Sequence, residues 1–334
     1  MEISTLVKED QIKVKDKCGR EIDYLRISLT DACNLRCIYC MPEKDVKFNN
    51  VEGALTNREL EKIINIFGEL GTKKLRFTGG EPLLREDLHC LIGVAKKSGI
   101  EKIAITTNGI LLEEKLEQLV KAGLSEANIS LDTLDEKKFS EITRGGDLHK
   151  VLKAIDKSLD LGLKVKINVV IIDGINDNEF IDLCKLSIDK NLDIRFIELM
   201  PIGEGIKFKG KTEEQLLGLL KEKYELEESH NEGINGPAKY VKIKGAKGRV
   251  GFISAMSEHF CDSCNRIRIT PDGFLKQCLH FRSGLDLKKL VGETEDKKLL
   301  EEKIKETIFN KPVGHKFNEE KKSEDSRFMF QIGG

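Results

Sequence analysis

The sequence has almost no net charge: 56 Lys and Arg stand against 57 Asp and Glu in 334 residues. That balance argues against a general nucleic-acid or membrane-surface role and leaves room for a local basic pocket. No apolar run reaches the ~18 residues that a membrane helix needs. The opening MEISTLVKED lacks a basic segment leading into an apolar one, so no secretory leader is expected. The expected compartment is then the cytoplasm, where thiols stay reduced. Tryptophan is absent, but 39% hydrophobic residues suffice for a core. No internal repeat or low-complexity segment is seen. Cysteine, by contrast, is plentiful: nine residues, which in a reducing compartment suggest metal ligands rather than disulfides.

From residue 18 to about 230 the chain alternates strand and helix patterns. Strands are predicted at 24–29, 74–79, 102–107, 127–132, 165–172 and 194–199, each rich in β-branched residues. Helices are expected between them at 86–98, 112–122, 147–161 and 177–190. One more, TNRELEKIINIFGELG, opens on a Thr56–Glu59 capping box. Such alternation implies parallel strands with right-handed crossovers. Six units are too few for a closed eight-fold barrel. An α/β fold is left over 18–230, either a partial (β/α)6 barrel or a doubly wound sheet. An α+β extension over 231–334 follows, with hairpins and a charged helix at 294–309. A further helix is expected at 212–228. Chemistry should collect at the C-terminal ends of the strands, where Cys33, Gly79–Gly80–Glu81, Asn108, Asp132 and Met200 fall.

Cys33, Cys37 and Cys40 are spaced C-x3-C-x2-C in TDACNLRCIYCMPEK. A [4Fe–4S] cubane has four irons and normally takes four thiolates. Three thiolates on one loop leave an iron open to a substrate. A zinc site with a distant fourth ligand is the alternative. Cys261, Cys264 and Cys278 form a second triad, C-x2-C-x13-C, again without a nearby fourth thiol. A zinc ribbon completed by His280 is the alternative there. Cys90 and Cys184 fall within predicted helices and read as small core hydrophobes. Arg266 and Arg268 alternate along a strand-like segment, so they share a face and suit phosphate oxygens. Arg26, Arg76 and Lys166 interrupt otherwise apolar strands; buried cations need partners, and a polyanion would supply them.

The first triad, with Tyr39 before its last cysteine and with TGGEP at 78–82, resembles the signature of radical S-adenosylmethionine enzymes. The second triad in FCDSCNRIRIT, the segments DYLRISLTDACNLRCIYCMP, LRFTGGEPLLR, TTNG and RFIELMP, and the terminal Gly-Gly narrow this. Residues 18–334 resemble the GTP-cyclising branch that begins molybdenum-cofactor biosynthesis. The resemblance implies the partial (β/α)6 barrel and two [4Fe–4S] clusters, on Cys33, Cys37 and Cys40 and on Cys261, Cys264 and Cys278. It implies S-adenosylmethionine bound at Tyr39, Gly80, Ser130 and Met200. It places GTP against Arg26, Arg76, Thr106, Lys166, Arg266, Ile267 and Arg268, and brings Gly333 and Gly334 near the reacting groups. Hydrogen abstraction at ribose C3′ followed by closure on guanine C8 is the implied reaction. The absence of a GxxxxGK[ST] loop agrees with a nucleotide that is rearranged rather than hydrolysed. A flavodoxin/ferredoxin-type donor or a reductase is implied as electron source, with no nucleic-acid or membrane partner; monomer and homodimer both stay open. So do a peptide-modifying radical enzyme with an auxiliary cluster and a non-catalytic iron–sulfur or zinc protein.

Overall fold

The computed structural model describes residues 13–44, 46, 48, 53–229, 236–320 and 323–333. Six parallel strands carry the N-terminal part: β1 (Tyr24–Ser28), β2 (Lys74–Thr78), β3 (Lys102–Thr107), β4 (Glu126–Ser130), β5 (Lys164–Val170) and β6 (Asp193–Ile197). Helices cross between them: α1 (Asn57–Glu69), α2 (Leu88–Lys97), α3 (Leu112–Ala122), α4 (Glu136–Thr143), α5 (Leu148–Asp160) and α6 (Phe180–Asp189). Each strand buries an aliphatic set against these helices, as with Leu25 and Ile27 or Leu75 and Phe77. The intervening residues point the other way because strand side chains alternate. In α1 the reciprocal Thr56–Glu59 cap fixes the start, and Leu60, Ile63, Ile64 and Phe67 are buried.

The C-terminal part does not form a sheet of its own. β7 (Leu226–Ser229), β8 (Lys239–Ile243) and β9 (Arg249–Ile253) extend one end, with β9 parallel to β6. β10 (Arg266–Ile269), β11 (Phe274–Lys276) and β12 (Gly284–Asp286) extend the other, with β10 parallel to β1. The order is β12-β11-β10-β1-β2-β3-β4-β5-β6-β9-β8-β7. Eight neighbouring strands, β10 through β9, are therefore parallel. One cavity is lined by Arg268, Arg26, Arg76, Thr106, Ser130, Asn168, Arg195 and Ile253, one residue from each. A sheet whose eight strands border one cavity must curl round it, so the fold is the expected partial barrel.

Beyond β6 come α7 (Glu213–Lys223), α8 (Leu287–Glu293), α9 (Lys297–Phe309), α10 (Phe317–Glu320) and α11 (Met329–Ile332). The helix expected at 212–228 is shorter than that. Tyr224 adopts extended backbone at its C-cap, and residues 226–229 pair with β8 as β7. Cys184 is buried in the core, but Cys90 lies on the exposed side of α2, which corrects its reading as a core residue. No helix among the described residues is long and apolar enough to cross a membrane.

Candidate active site

The cysteine loop after β1 is braced on several sides. Arg36 and Ile38 donate backbone N–H groups to Thr143 O (3.0 Å) and Ile142 O (2.9 Å) at the end of α4. Arg144, left-handed at φ 56°, donates from Nη1 to Arg36 O and Met41 O, both at 3.0 Å. The glycine loop after β2 packs beneath. Gly80 donates to Thr30 O (2.6 Å) and Glu81 to Ala32 O (2.8 Å). A Cβ on Gly80 would lie 2.3 Å from Ala32 O, and one on Gly79 2.5 Å from Thr30 O. These glycines therefore permit close approach to the cysteine loop itself. Glu81 ties that corner to the end of β3, accepting from Thr107 Oγ1 (2.8 Å), Asn108 N (2.8 Å) and Leu83 N (3.0 Å). Asn108 Nδ2 reaches Cys33 Sγ at 3.7 Å.

Cys33, Cys37 and Cys40 all border the cavity, and so do Cys261, Cys264 and Cys278 from the opposite part of the chain. All nine cysteines are free thiols. The two triads differ electrostatically. Burial, with Cys40 close by, pushes the Cys37 thiol well above its ordinary range, and burial lifts Cys40 to about 12. At the second triad burial is outweighed: the Arg266 and Lys311 cations pull Cys264 down to about 6. Arg266 Nη2 lies 3.7 Å from Cys264 Sγ. Arg36 lies beside Cys33, with Nη1 donating to its carbonyl, and three thiols on one loop fit a positively charged metal core. Within the second triad Cys264 is thus drawn toward thiolate, whereas burial raises Cys261.

Between the triads the cavity is cationic. Among the described residues Arg26, Arg76, Arg195, Arg266, Arg268 and Lys311 line it, against only Asp132 and Glu198. Both carboxylates are engaged. Asp132 accepts from Tyr39 Oη (2.6 Å) and Val170 N (2.8 Å), and burial lifts it to about 6. Glu198 accepts from the backbone N–H groups of Met256 and Ser257. Arg26 Nε, Arg76 Nε, Arg195 Nε and Thr106 Oγ1 are buried without a hydrogen-bond partner among the described residues. Buried donors of this kind are normally satisfied, so the cavity fits an acceptor-rich anion.

Of the residues singled out from sequence, Arg26, Tyr39, Arg76, Gly80, Thr106, Ser130, Met200, Arg266 and Arg268 meet on this cavity with both triads. Lys166 does not line it. Its Nζ lies 2.9 Å from Glu126, which also holds Lys74 at 2.5 Å; this buried carboxylate captures the lysine at the far end of the barrel. Ile267 turns its side chain to the helical side, buried in the main core. His280 is enclosed by Phe281 and Phe317 and does not join the second triad. Gly333, at φ +94°, fits where a Cβ would lie 2.7 Å from Ser28. Its carbonyl accepts from Arg268 Nη1 at 2.7 Å, while Met329 and Phe330 border the cavity. Gly334 lies outside the described residues. Sequence reasoning missed Arg195, whose signal was the same as that of Arg26 and Arg76: a cation inside an apolar strand.

A parallel α/β sheet carrying a C-x3-C-x2-C loop at the end of its first strand defines the class of radical S-adenosylmethionine enzymes. The Radical SAM superfamily model matches residues 27–187, and the Molybdenum Cofactor Synthesis C model matches 192–317. A curated GTP 3′,8-cyclase from Clostridium perfringens (strain 13 / Type A) is 51% identical over 323 residues, 96% of this chain and 100% of that one. One from Clostridium botulinum (strain Hall) is 46% identical, covering 96% and 99%. The chain belongs to the GTP 3′,8-cyclase family. In fold it is similar to Streptococcus suis SuiB, with a TM-score of 0.62, 17% identity, and coverage of 89% of this chain and 68% of that one.

Proposed function

We propose that the chain converts GTP to (8S)-3′,8-cyclo-7,8-dihydroguanosine 5′-triphosphate, the first step of molybdenum-cofactor biosynthesis. Near-full-length identity to GTP 3′,8-cyclases supports this over a peptide-modifying enzyme or a non-catalytic metal protein. The observation that carries it is a single cavity holding two three-thiol sets and six cationic side chains. Cys33, Cys37 and Cys40 would hold the first [4Fe–4S] cluster, and Cys261, Cys264 and Cys278 the second. When bound, the first cluster and S-adenosylmethionine supply the one-electron chemistry that starts hydrogen abstraction from the ribose.

The chain's own part is to bind, orient and exclude water. Arg26, Arg76, Arg266 and Arg268 present guanidinium forks to the triphosphate. Tyr39, Gly80, Ser130 and Met200 border the end nearer the first triad and would seat S-adenosylmethionine. Asp132 holds the Tyr39 hydroxyl in place. The docked tail closes one side, with Gly333 fixing the direction of the Arg268 fork. We further propose a cytoplasmic setting and a flavodoxin- or ferredoxin-type electron donor. The test is anaerobic incubation with S-adenosylmethionine, dithionite and GTP. The expected result is GTP-dependent 5′-deoxyadenosine and a cyclised nucleotide isobaric with GTP. Deoxyadenosine formed without any change in GTP would overturn the reading.

A further inference from the structure

Beside the second triad lie two histidines that the reaction does not use. His259, in the segment after β9, and His315, in the segment before α10, converge on Cys261. One ligand atom from each of the three lies within 4.8 Å of the others. His259 Nδ1 and His315 Nε2 are 3.3 Å apart. With metal–nitrogen bonds of roughly 2.0–2.1 Å, two nitrogens on a tetrahedral zinc-type ion sit roughly 3.3–3.4 Å apart. We propose that His259, Cys261 and His315 form a site for a thiophilic divalent ion of the zinc class. Occupancy of this site and of the second iron–sulfur cluster are mutually exclusive, because both need Cys261; that clause rests on the function proposed above.

The loops are held together before any ion arrives. Arg20 Nη1 donates to Cys261 O (2.7 Å) and Val313 O (2.9 Å), and its Nη2 to Pro312 O (2.6 Å). Asp16 fixes that guanidinium through Nε at 2.5 Å. The His315 backbone N–H also faces the Cys261 sulfur. His259 is exposed, which gives an ion a path from solvent. Two facing imidazole nitrogens share one proton, and an ion between them needs both lone pairs. The His315 proton then moves to Nδ1, giving up the long 3.4 Å contact from Phe317 N. Cys261 loses its proton to solvent, as any thiolate ligand must. No electron is transferred. Three protein ligands leave a fourth position for water.

The probe is Co²⁺, titrated anaerobically into reduced, iron-free full-length chain carrying Cys33→Ala, Cys37→Ala and Cys40→Ala, which removes the first triad as a competitor. One ion per chain should bind, with tetrahedral ligand-field bands and a thiolate charge-transfer band. His259→Ala with His315→Ala should weaken binding at least about 10–100-fold, the loss seen when even an outer-shell partner is removed. Cys264→Ser with Cys278→Ser should leave the spectrum in place. The double histidine variant should still assemble the second cluster, which shows that it folds and tests the cluster assignment separately. In the unaltered chain, zinc loaded before cluster assembly should cut iron from about eight to about four per chain. Unchanged cobalt affinity in the histidine variant, or loss in the Cys264/Cys278 variant, overturns the site. Full iron uptake after zinc loading overturns the exclusivity.

Discussion

Gly333→Ala places a methyl group against Ser28 at the edge of the active site. Two penalties arise there. Left-handed backbone at φ +94° costs a non-glycine residue about 1–2 kcal/mol. The new Cβ would also lie 2.7 Å from both Ser28 Cβ and Oγ and 3.3 Å from Thr78 Cγ2, an overpacking worth about 1–3 kcal/mol. The Arg268–Gly333 bond returns about 1.5–3 kcal/mol, the scale for a hydrogen bond to a charged group. Buried Phe330 and Ile332 anchor the preceding turn at about 1.5–3 kcal/mol each. At mid-range the strain, about 3.5 kcal/mol, exceeds what the bond holds, about 2.3, but not what the two anchors hold, about 4.5. The last residues should lift off Arg268 while α11 stays docked. GTP cyclisation should fall at least about tenfold, the equivalent of about 1.4 kcal/mol, with iron content and melting temperature close to those of the unaltered chain. Ser28→Gly in the same chain removes the two nearest atoms and should recover part of the turnover. Unchanged turnover in Gly333→Ala, or no recovery in the double variant, would refute the reasoning.

Three further outcomes are expected. Cys33→Ala, Cys37→Ala or Cys40→Ala should each abolish S-adenosylmethionine cleavage, whereas replacing Cys261, Cys264 and Cys278 together should remove about four irons and stop cyclisation while the first cluster survives; iron analysis and deoxyadenosine assays check both. Glu126→Gln should destabilise the fold by about 3–5 kcal/mol in denaturant titrations, because two buried lysines lose their only shared carboxylate partner. Lys166 and Lys74, against the cost of burial, hold the Glu126 carboxyl far below its ordinary 4.5; that stability is present above about 4.5 and is lost as pH falls, so the gap between variant and unaltered chain should narrow in acid. Arg26→Met should leave the melting temperature of the ligand-free chain unchanged or raised but shrink the rise produced by GTP; a clear drop without ligand would show that Arg26 serves the fold.

The six central strands could be read from sequence because parallel strands carry an aliphatic face that helices must cover, and Leu25, Ile27, Leu75 and Phe77 mark it plainly. Both cysteine triads, the glycine loop and Arg26, Arg76, Arg266 and Arg268 were legible for a related reason: each breaks a local pattern without a local explanation. Lys166 breaks the pattern too, but its explanation is Glu126 on the neighbouring strand, a pairing set by register that no single segment shows. Arg195 passed unnoticed in IRFIEL although its signal was equal. The joining of β9 and β10 to the barrel was hidden, since parallel pairing between residues 24–27 and 266–269 leaves no mark in either stretch. The His259–Cys261–His315 group was invisible for the same reason: its members come from loops brought together by Arg20.

That hidden pairing decides the charge of the site. β10 aligns Arg268 with Arg26, and β2 aligns Arg76 with Arg26, so three arginines stand side by side across three strands. Like charges directly opposite one another are destabilising. Two residues earlier on the same face the cations have partners: Lys74 meets Glu126, which also takes Lys166, and the Tyr24 ring lies between Lys74, Arg26 and Arg76 at 5.3–5.4 Å. Glu126 stands in register with Arg76 through Ala104, but its hydrogen bonds go to Lys74 and Lys166, which leaves Arg26 Nε and Arg76 Nε without a partner among the described residues. Under the function proposed above, a triphosphate would complete the row, and the Gly333 carbonyl, by holding Arg268 Nη1, would aim the rest of that fork at the nucleotide.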